Sequence, residues 1–153
     1  MFMKKSDDQP ASEIVLFGAL GDLSRRKLLP ALYQLEVCGL IHANSNIVAV
    51  ARQSIDLDEL KAFVLENLTS FVKESLDEDV LARFFARLVY QQLDFKESKT
   101  FNKLANVLAN GNSTRVYYFS TPPAIYGDIC KGLDHANLIT DADRVVMEKP
   151  IGH

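Results

Sequence analysis

No run of about 18 uncharged apolar residues, the length a helix needs to cross a bilayer, occurs anywhere in the 153 positions of the sequence. Its opening, MFMKKSDDQPAS, places acids and a proline where an export signal would carry an apolar stretch. The expectation is a soluble, non-exported chain of the cytoplasm, with residues 1–12 a flexible N-terminus. Cysteine is scarce. Cys38 and Cys130 lie far apart, without Cys-x-x-Cys spacing or a histidine cluster, so a metal site and a redox pair both lack support and two buried thiols in a reducing compartment are expected. Positive charge is also in short supply: 17 Lys plus Arg against 20 Asp plus Glu leave a net charge of -3. No overall basic field invites nucleic acid, and any cationic patch must be local. The three histidines, His42, His135 and His153, have no partner at catalytic spacing and read as surface or loop residues. Against these absences, 48% hydrophobic residues suffice for a core, in a chain long enough for one domain or a piece of a larger protein.

Short apolar or β-branched runs alternate with longer segments whose apolar residues recur every three to four positions. That alternation is the signature of helices crossing between parallel strands. Strands are expected at 13–17, 47–51, 88–93, 115–119 and 144–147. Pro30 and Gly39 bracket the first helix, proline suiting its first position and glycine the position just past its end, with a preceding turn of helix open to Leu28, Lys27 and earlier residues. Two helices share the second crossover, one with Leu57, Leu60, Phe63, Val64, Leu68 and Phe71 on a common face, the other with Leu76, Val80, Leu81, Phe84 and Phe85. Phe101, Leu104, Ala105 and Leu108 mark the next helix, and Ile125, Ile129, Cys130 and Leu133 the last. The fold class is therefore α/β, a doubly wound, mainly parallel, Rossmann-like sheet occupying residues 13–153. The stretch RVVMEKPIGH ends a strand and stops within a few residues, so the domain is expected to continue in a longer protein.

In such a sheet, ligands bind beyond the carboxyl ends of the strands, and the turn after the first strand is the usual seat of a dinucleotide pyrophosphate. Gly18 and Gly21 stand at that turn, followed by Arg25, Arg26 and Lys27. Glycine permits the tight turn and the close approach of a phosphate, and the free N–H groups of the helical turn that follows attract the anion. The full G-x-G-x-x-G fingerprint is absent, with Leu20 and Leu23 where glycines would stand, and no Gly-Lys-Ser/Thr follows to make a mononucleotide loop. A plain strand-to-helix turn remains the competing reading. At the end of the second strand the residue is Arg52, where many NAD proteins carry an acid. A guanidinium pairs with a 2′-phosphate that a carboxylate would repel, so Arg52 favours NADP over NAD. Arg25 or Arg26 can reinforce it, the other facing solvent. The fourth strand ends in Ser120 and Thr121, then Pro122 and Pro123, a rigid loop beside the expected nicotinamide. Lys149, after Glu148 at the end of the fifth strand, is a candidate point cation for a substrate oxygen or phosphate, against the plainer reading of a surface Glu-Lys pair.

Taken together, FGALGDLSRRKLLPALYQL, AVARQ, LD at 93 and 94, YYFSTPPAIYGDICKGL and RVVMEKPIG resemble the N-terminal coenzyme domain of the glucose-6-phosphate dehydrogenase family, over nearly the whole chain. The resemblance implies oxidation of D-glucose 6-phosphate to 6-phosphoglucono-1,5-lactone with NADP, in the pentose phosphate pathway. It also implies that Gly18, Ala19, Leu20, Gly21, Asp22, Leu23, Ser24, Arg25 and Arg52 bind NADP. Asp94 and Phe95 would line the adenosine side, and Thr121 and Pro122 would lie near the nicotinamide. Lys149 would touch both substrate and coenzyme, with a cis peptide to Pro150. The family's general base sits in an Arg-Ile-Asp-His-Tyr-Leu-Gly-Lys motif that this sequence does not contain, so no catalytic residue is assigned in this chain. The substrate domain and a homo-oligomer interface would lie in the remainder of the protein. Two other readings stay open: the coenzyme domain of another sugar oxidoreductase, such as those resembling glucose-fructose oxidoreductase, and a free-standing nucleotide-binding regulatory module. A short-chain dehydrogenase fits less well, because Tyr126 lacks a lysine four positions later.

Overall fold

Alternation along the first strand sends Val15 and Phe17 to one side of a sheet and Leu16 to the other, and all three are wholly buried. Burial on both sides is what helices on both faces require. The computed structural model describes residues 11–147. In it, strands β1 (Ser12–Phe17), β2 (Asn46–Ala51), β3 (Leu88–Gln92), β4 (Thr114–Phe119) and β5 (Arg144–Met147) pair in parallel in the order β3-β2-β1-β4-β5. Helices α1 (Leu29–Val37), α2 (Leu57–Phe71) and α3 (Glu78–Ala86) pack Leu29, Tyr33, Leu60, Val64, Leu68 and Phe84 against Leu16, Ile47 and Ala49. On the opposite face, α4 (Phe101–Ala109) and α5 (Tyr126–His135) pack Phe101, Leu104, Ile129 and Leu133 against Val15, Phe17, Val48 and Val50. The doubly wound α/β reading therefore holds, each strand falling within one residue of its expected bounds at either end. The chain reverses its direction of travel across the sheet between β1 and β4, which opens a crevice at their carboxyl ends.

Local chemistry explains where the helices start and stop. Asp56 and Glu59 form a reciprocal capping box at the head of α2, with Glu59 N–H donating to Asp56 Oδ1 at 2.8 Å and Asp56 N–H to Glu59 Oε1 at 3.1 Å. Gly39, at φ +69°, closes α1 as anticipated: its N–H reaches Glu36 O, and Leu40 N–H reaches Leu35 O at 2.9 Å.

Pro30 does not open its helix. Helical backbone begins at Asp22, and residues Ser24–Leu28 form a widened π-turn in which Leu29 N–H donates to Ser24 O, five residues back. A proline ring clashes with the carbonyl four residues before it and offers that carbonyl no N–H. Widening the turn by one residue accommodates both defects at Arg26.

The cysteines also depart from expectation, since Cys38 and Cys130 are both exposed. Cys38 is the cap residue at the end of α1, outside the packed stripe. On α5 the buried stripe is Ile129, Gly132 and Leu133, and Cys130 falls just beyond its edge. Leu57 likewise leaves its expected face and is exposed in the first turn of α2. Lys149, the Lys149–Pro150 peptide, His153 and residues 1–10 lie outside the described residues. Among those described, no peptide bond is cis, no helix is long and apolar enough to cross a membrane, and no cluster of His, Cys, Asp and Glu could hold a metal.

At the amino end of the sheet a buried ion pair ties three elements together. The Arg87 guanidinium donates to Glu36 through Nε at 2.5 Å and Nη2 at 3.1 Å, and to the carbonyls of Ile41, His42 and Ser45 at 3.2, 2.6 and 2.8 Å. All five of its donors are thereby used. Removing one partner of such a pair strands the other charge in the core, which costs about 3–5 kcal/mol. Arg87→Met is therefore expected to lose that much in urea denaturation, while Glu36→Leu combined with Arg87→Met recovers a large part of it. A single variant as stable as wild type would show that the pair does not anchor α1 to β2 and α3.

Candidate functional site

The crevice is formed by four strand ends. Beyond β1, Gly18 takes φ +82°, and a Cβ there would lie 2.8 Å from Thr121 Cγ2 and 2.9 Å from Ser120 O. No other residue fits this position, because L side chains disfavour the angle and the space is already filled by backbone. Ser120, at the end of β4, holds the approach in place: its N–H donates to Phe17 O at 2.9 Å and its Oγ to the same oxygen at 2.6 Å. The amides of Gly18 and Ala19 both turn inward to Val50 O, at 2.9 and 3.1 Å, so neither is available to a ligand. Gly21 N–H closes the turn onto Gly18 O at 2.9 Å, and Arg25 N–H begins the helix on Gly21 O. Among the described residues this leaves the amides of Leu20, Asp22, Leu23 and Ser24 without an acceptor. Unbonded amides at the head of a helical run form an anion seat.

A cleft of about 460 Å³ opens beside this turn, lined by Gly18, Leu20, Gly21, Ala51, Arg52, Gln53, Asp94, Phe95, Lys96, Thr121, Pro122 and Ile125. It thus runs along the ends of β3, β2, β1 and β4 in spatial order. Eight of the sequence-predicted binding residues, Gly18, Leu20, Gly21, Arg52, Asp94, Phe95, Thr121 and Pro122, meet here. Ala19, Asp22, Leu23, Ser24 and Arg25 do not line it. Ala19 packs in the core below the turn, and the Asp22 carboxylate pairs with Arg26 Nε at 2.7 Å. Arg26 also lies over the Phe71 ring at 5.4 Å, so it is the arginine that turns away from the cleft. Gln53, Lys96 and Ile125 were not assigned to the site from sequence, nor was Ala51, the last residue of β2. Gln53 directly follows Arg52, the one local signal available; Lys96 and Ile125 are brought in by loops after β3 and β4.

Several polar atoms here lack partners. Ser24 Oγ, Arg25 Nε and Thr121 Oγ1 are buried without a hydrogen bond, an arrangement that costs stability unless something else supplies the bond. The Arg52 side chain has no ion-pair partner among the described residues, although its carbonyl is held by Gln92 Nε2 at 3.0 Å. Phe95 meets Phe17 edge-on at 5.9 Å between centroids, tying the cleft wall to the core. Of the histidines, His42 uses Nδ1 to accept the Asn44 N–H at 3.0 Å, and His135 ends α5 in solvent.

A parallel sheet of this strand order, with a glycine turn and free amides at its switch point, defines the class: a Rossmann-like dinucleotide-binding domain. The family model described as "Glucose-6-phosphate dehydrogenase, NAD binding domain" matches residues 15–153. The chain belongs to the glucose-6-phosphate dehydrogenase family. It is 44% identical to the glucose-6-phosphate 1-dehydrogenase of Dickeya dadantii (strain 3937) over 142 residues, covering 93% of this chain and 29% of that protein. Among solved structures it is similar to glucose-6-phosphate 1-dehydrogenase from Mycobacterium avium, with a TM-score of 0.82, 33% identity, and 94% of this chain covering 31% of that one. A glucose-6-phosphate dehydrogenase in complex with its substrate glucose-6-phosphate gives a TM-score of 0.80 at 27% identity, with 95% of this chain covering 31% of that one. The chain therefore spans about three tenths of the length of these relatives. The residues present fit the NADP cofactor of that family: free amides and a side-chain-free turn for the pyrophosphate, orphaned polar atoms around it, and a free guanidinium at the end of β2.

The two glycines of the turn are not equivalent. A Cβ at Gly21 would meet Gly18 O at 3.2 Å and Ser120 O at 3.8 Å, a tight but tolerable position. Gly18→Ala is expected to cost about 1–3 kcal/mol through backbone strain alone, with further loss from the clash, whereas Gly21→Ala keeps most of the stability. Thermal melts of the two variants check the order; equal melting temperatures would contradict it.

Proposed function

We propose that residues 13–153 are the coenzyme-binding domain of an enzyme that oxidises D-glucose 6-phosphate to 6-phosphoglucono-1,5-lactone with NADP. The observation that carries the reading is the conjunction of the glycine turn and Arg52 in one cleft, with four free amides in and just after that turn, on a chain of this family. When bound, NADP supplies a nicotinamide ring that accepts hydride from the first carbon of the sugar. The chain's own residues hold and orient it. The amides of Leu20, Asp22, Leu23 and Ser24 face the pyrophosphate, with Arg25 lending charge and a donor from its otherwise unbonded Nε. Gly18 and Gly21 keep the backbone clear of the phosphates, and Ala19, packed beneath, fixes the turn. Asp94 and Phe95 border the adenosine. Thr121 and Pro122 hold the nicotinamide end, where the buried Thr121 hydroxyl has a hydrogen bond still to give.

Lys149 is proposed to reach both coenzyme and sugar phosphate from the end of the fifth strand. The base that takes the sugar's hydroxyl proton, most of the sugar pocket and a homo-oligomer interface are placed in the remainder of the protein. That division agrees with the 29% of the Dickeya relative that the chain covers. The setting proposed with it is the cytoplasmic pentose phosphate pathway, in keeping with membership of this family.

Arg52 is proposed to help separate the two coenzymes. A charge-assisted bond to the 2′-phosphate corresponds to about tenfold to a hundredfold in affinity. Arg52→Ala is expected to weaken NADP by that factor and to leave NAD nearly unchanged, as measured by calorimetric titration with each coenzyme. Equal losses for both would remove Arg52 from the phosphate site, and absence of NADP binding by the unaltered protein would overturn the reading itself.

A further inference from the structure

We propose that Lys96 is a second cation for the coenzyme's 2′-phosphate, so that selection of NADP over NAD is shared between the ends of β2 and β3. The proposal rests on the NADP reading above and adds a specificity residue to it. Lys96 lines the same cleft as Arg52 and Gln53. The two loops leave neighbouring strands: Ala51 is in register with Gln92, and Leu93 N–H donates to Ala51 O at 2.9 Å. Adjacent strands lie about 4.8 Å apart, well within the reach of a lysine stem.

The loop that carries Lys96 is fixed by its own bonds. Asp94 Oδ1 accepts the Lys96 N–H at 3.0 Å, and Thr100 Oγ1 donates to Asp94 O at 2.9 Å and to Glu97 O at 2.8 Å. Phe95, between Asp94 and Lys96, is anchored on Phe17 and Phe101. Asp94 thus spends a carboxylate oxygen on the loop backbone, while Lys96 forms no ion pair among the described residues. Charge balance supplies the reason for two cations. A phosphate monoester carries about −1.5 to −2 at neutral pH, more than a single guanidinium offsets, and the cleft offers an exposed ammonium one strand away. Arginine gives the bidentate geometry, lysine the remaining point charge.

Calorimetric titration of Lys96→Met, Lys96→Arg, Arg52→Ala and the Lys96→Met/Arg52→Ala pair with NADP, NAD and 2′,5′-ADP tests the proposal. Lys96→Met is expected to weaken NADP and 2′,5′-ADP by about threefold to tenfold, as befits a partly exposed charge pair, with NAD unchanged. Lys96→Arg retains the affinity of wild type, and the double variant brings the NADP to NAD ratio close to unity. A Lys96→Met variant that binds NADP as tightly as wild type, or loses NAD equally, overturns the assignment of Lys96. If Arg52→Ala is selective in the same series, only Lys96 falls; if Arg52→Ala also fails to separate the coenzymes, the 2′-phosphate site at the ends of β2 and β3 falls as a whole, and the NADP reading itself falls if the unaltered protein does not bind NADP. A thermal melt of Lys96→Met matching wild type confirms that any loss belongs to the cleft.

Discussion

The site depends on how closely two backbone segments approach each other. Gly18 lies against the Ser120–Thr121 peptide with no space for a side chain between them, and Ser120 bonds back to Phe17 O through both its amide and its hydroxyl. That contact bridges the two strands between which the sheet reverses its order. Because Gly18 and Ala19 spend their amides on Val50 O, the turn is also fastened to β2. The amides left over are therefore held at fixed positions by three strands, and an anion arriving there meets donors that need no rearrangement.

The opposite end of the sheet solves a different problem. There Glu36 and Arg87 are buried as a fully bonded pair, and the buried carboxylate of Glu13 accepts from Asn46 Nδ2 and from the amide and side chain of Asn112. These donors have acceptors within the fold, Arg115 Nε near the start of β4 being the buried exception, whereas the carboxyl end keeps amides, two hydroxyls and a guanidinium nitrogen unspent. The bonded charge networks thus lie at one end of the sheet, and three of the four buried atoms without a partner among the described residues lie at the other, around the cleft.

What was legible in the sequence was local. The β-branched run into Gly18, the capping pattern at Gly39 and the apolar stripes of the helices depend on neighbours a few residues away, and the structure follows them. Arg52 could be placed because a strand end identifies itself. Misjudged features required distant information. Cys130 shares the spacing of Ile129 and Leu133, but the packed stripe is narrower than the spacing allows. Arg26 is drawn over the ring of Phe71, 45 positions further on and on another helix. Lys96 carries no sequence signal at all, since only the pairing of β3 with β2 brings it beside Arg52.

The widened turn at Ser24–Leu28 constrains which changes of length this segment tolerates. It contains one residue more than a regular helix would need to join the glycine turn to α1, and Pro30 is the residue that tolerates no regular helix at that point. Loss of one codon in this segment would tighten the turn and drive the proline ring into the carbonyl of Arg26. Exchange of the proline alone would leave a surplus residue with nothing to require it. The extra residue and the proline are therefore physically coupled, each relieving the defect that the other alone would leave.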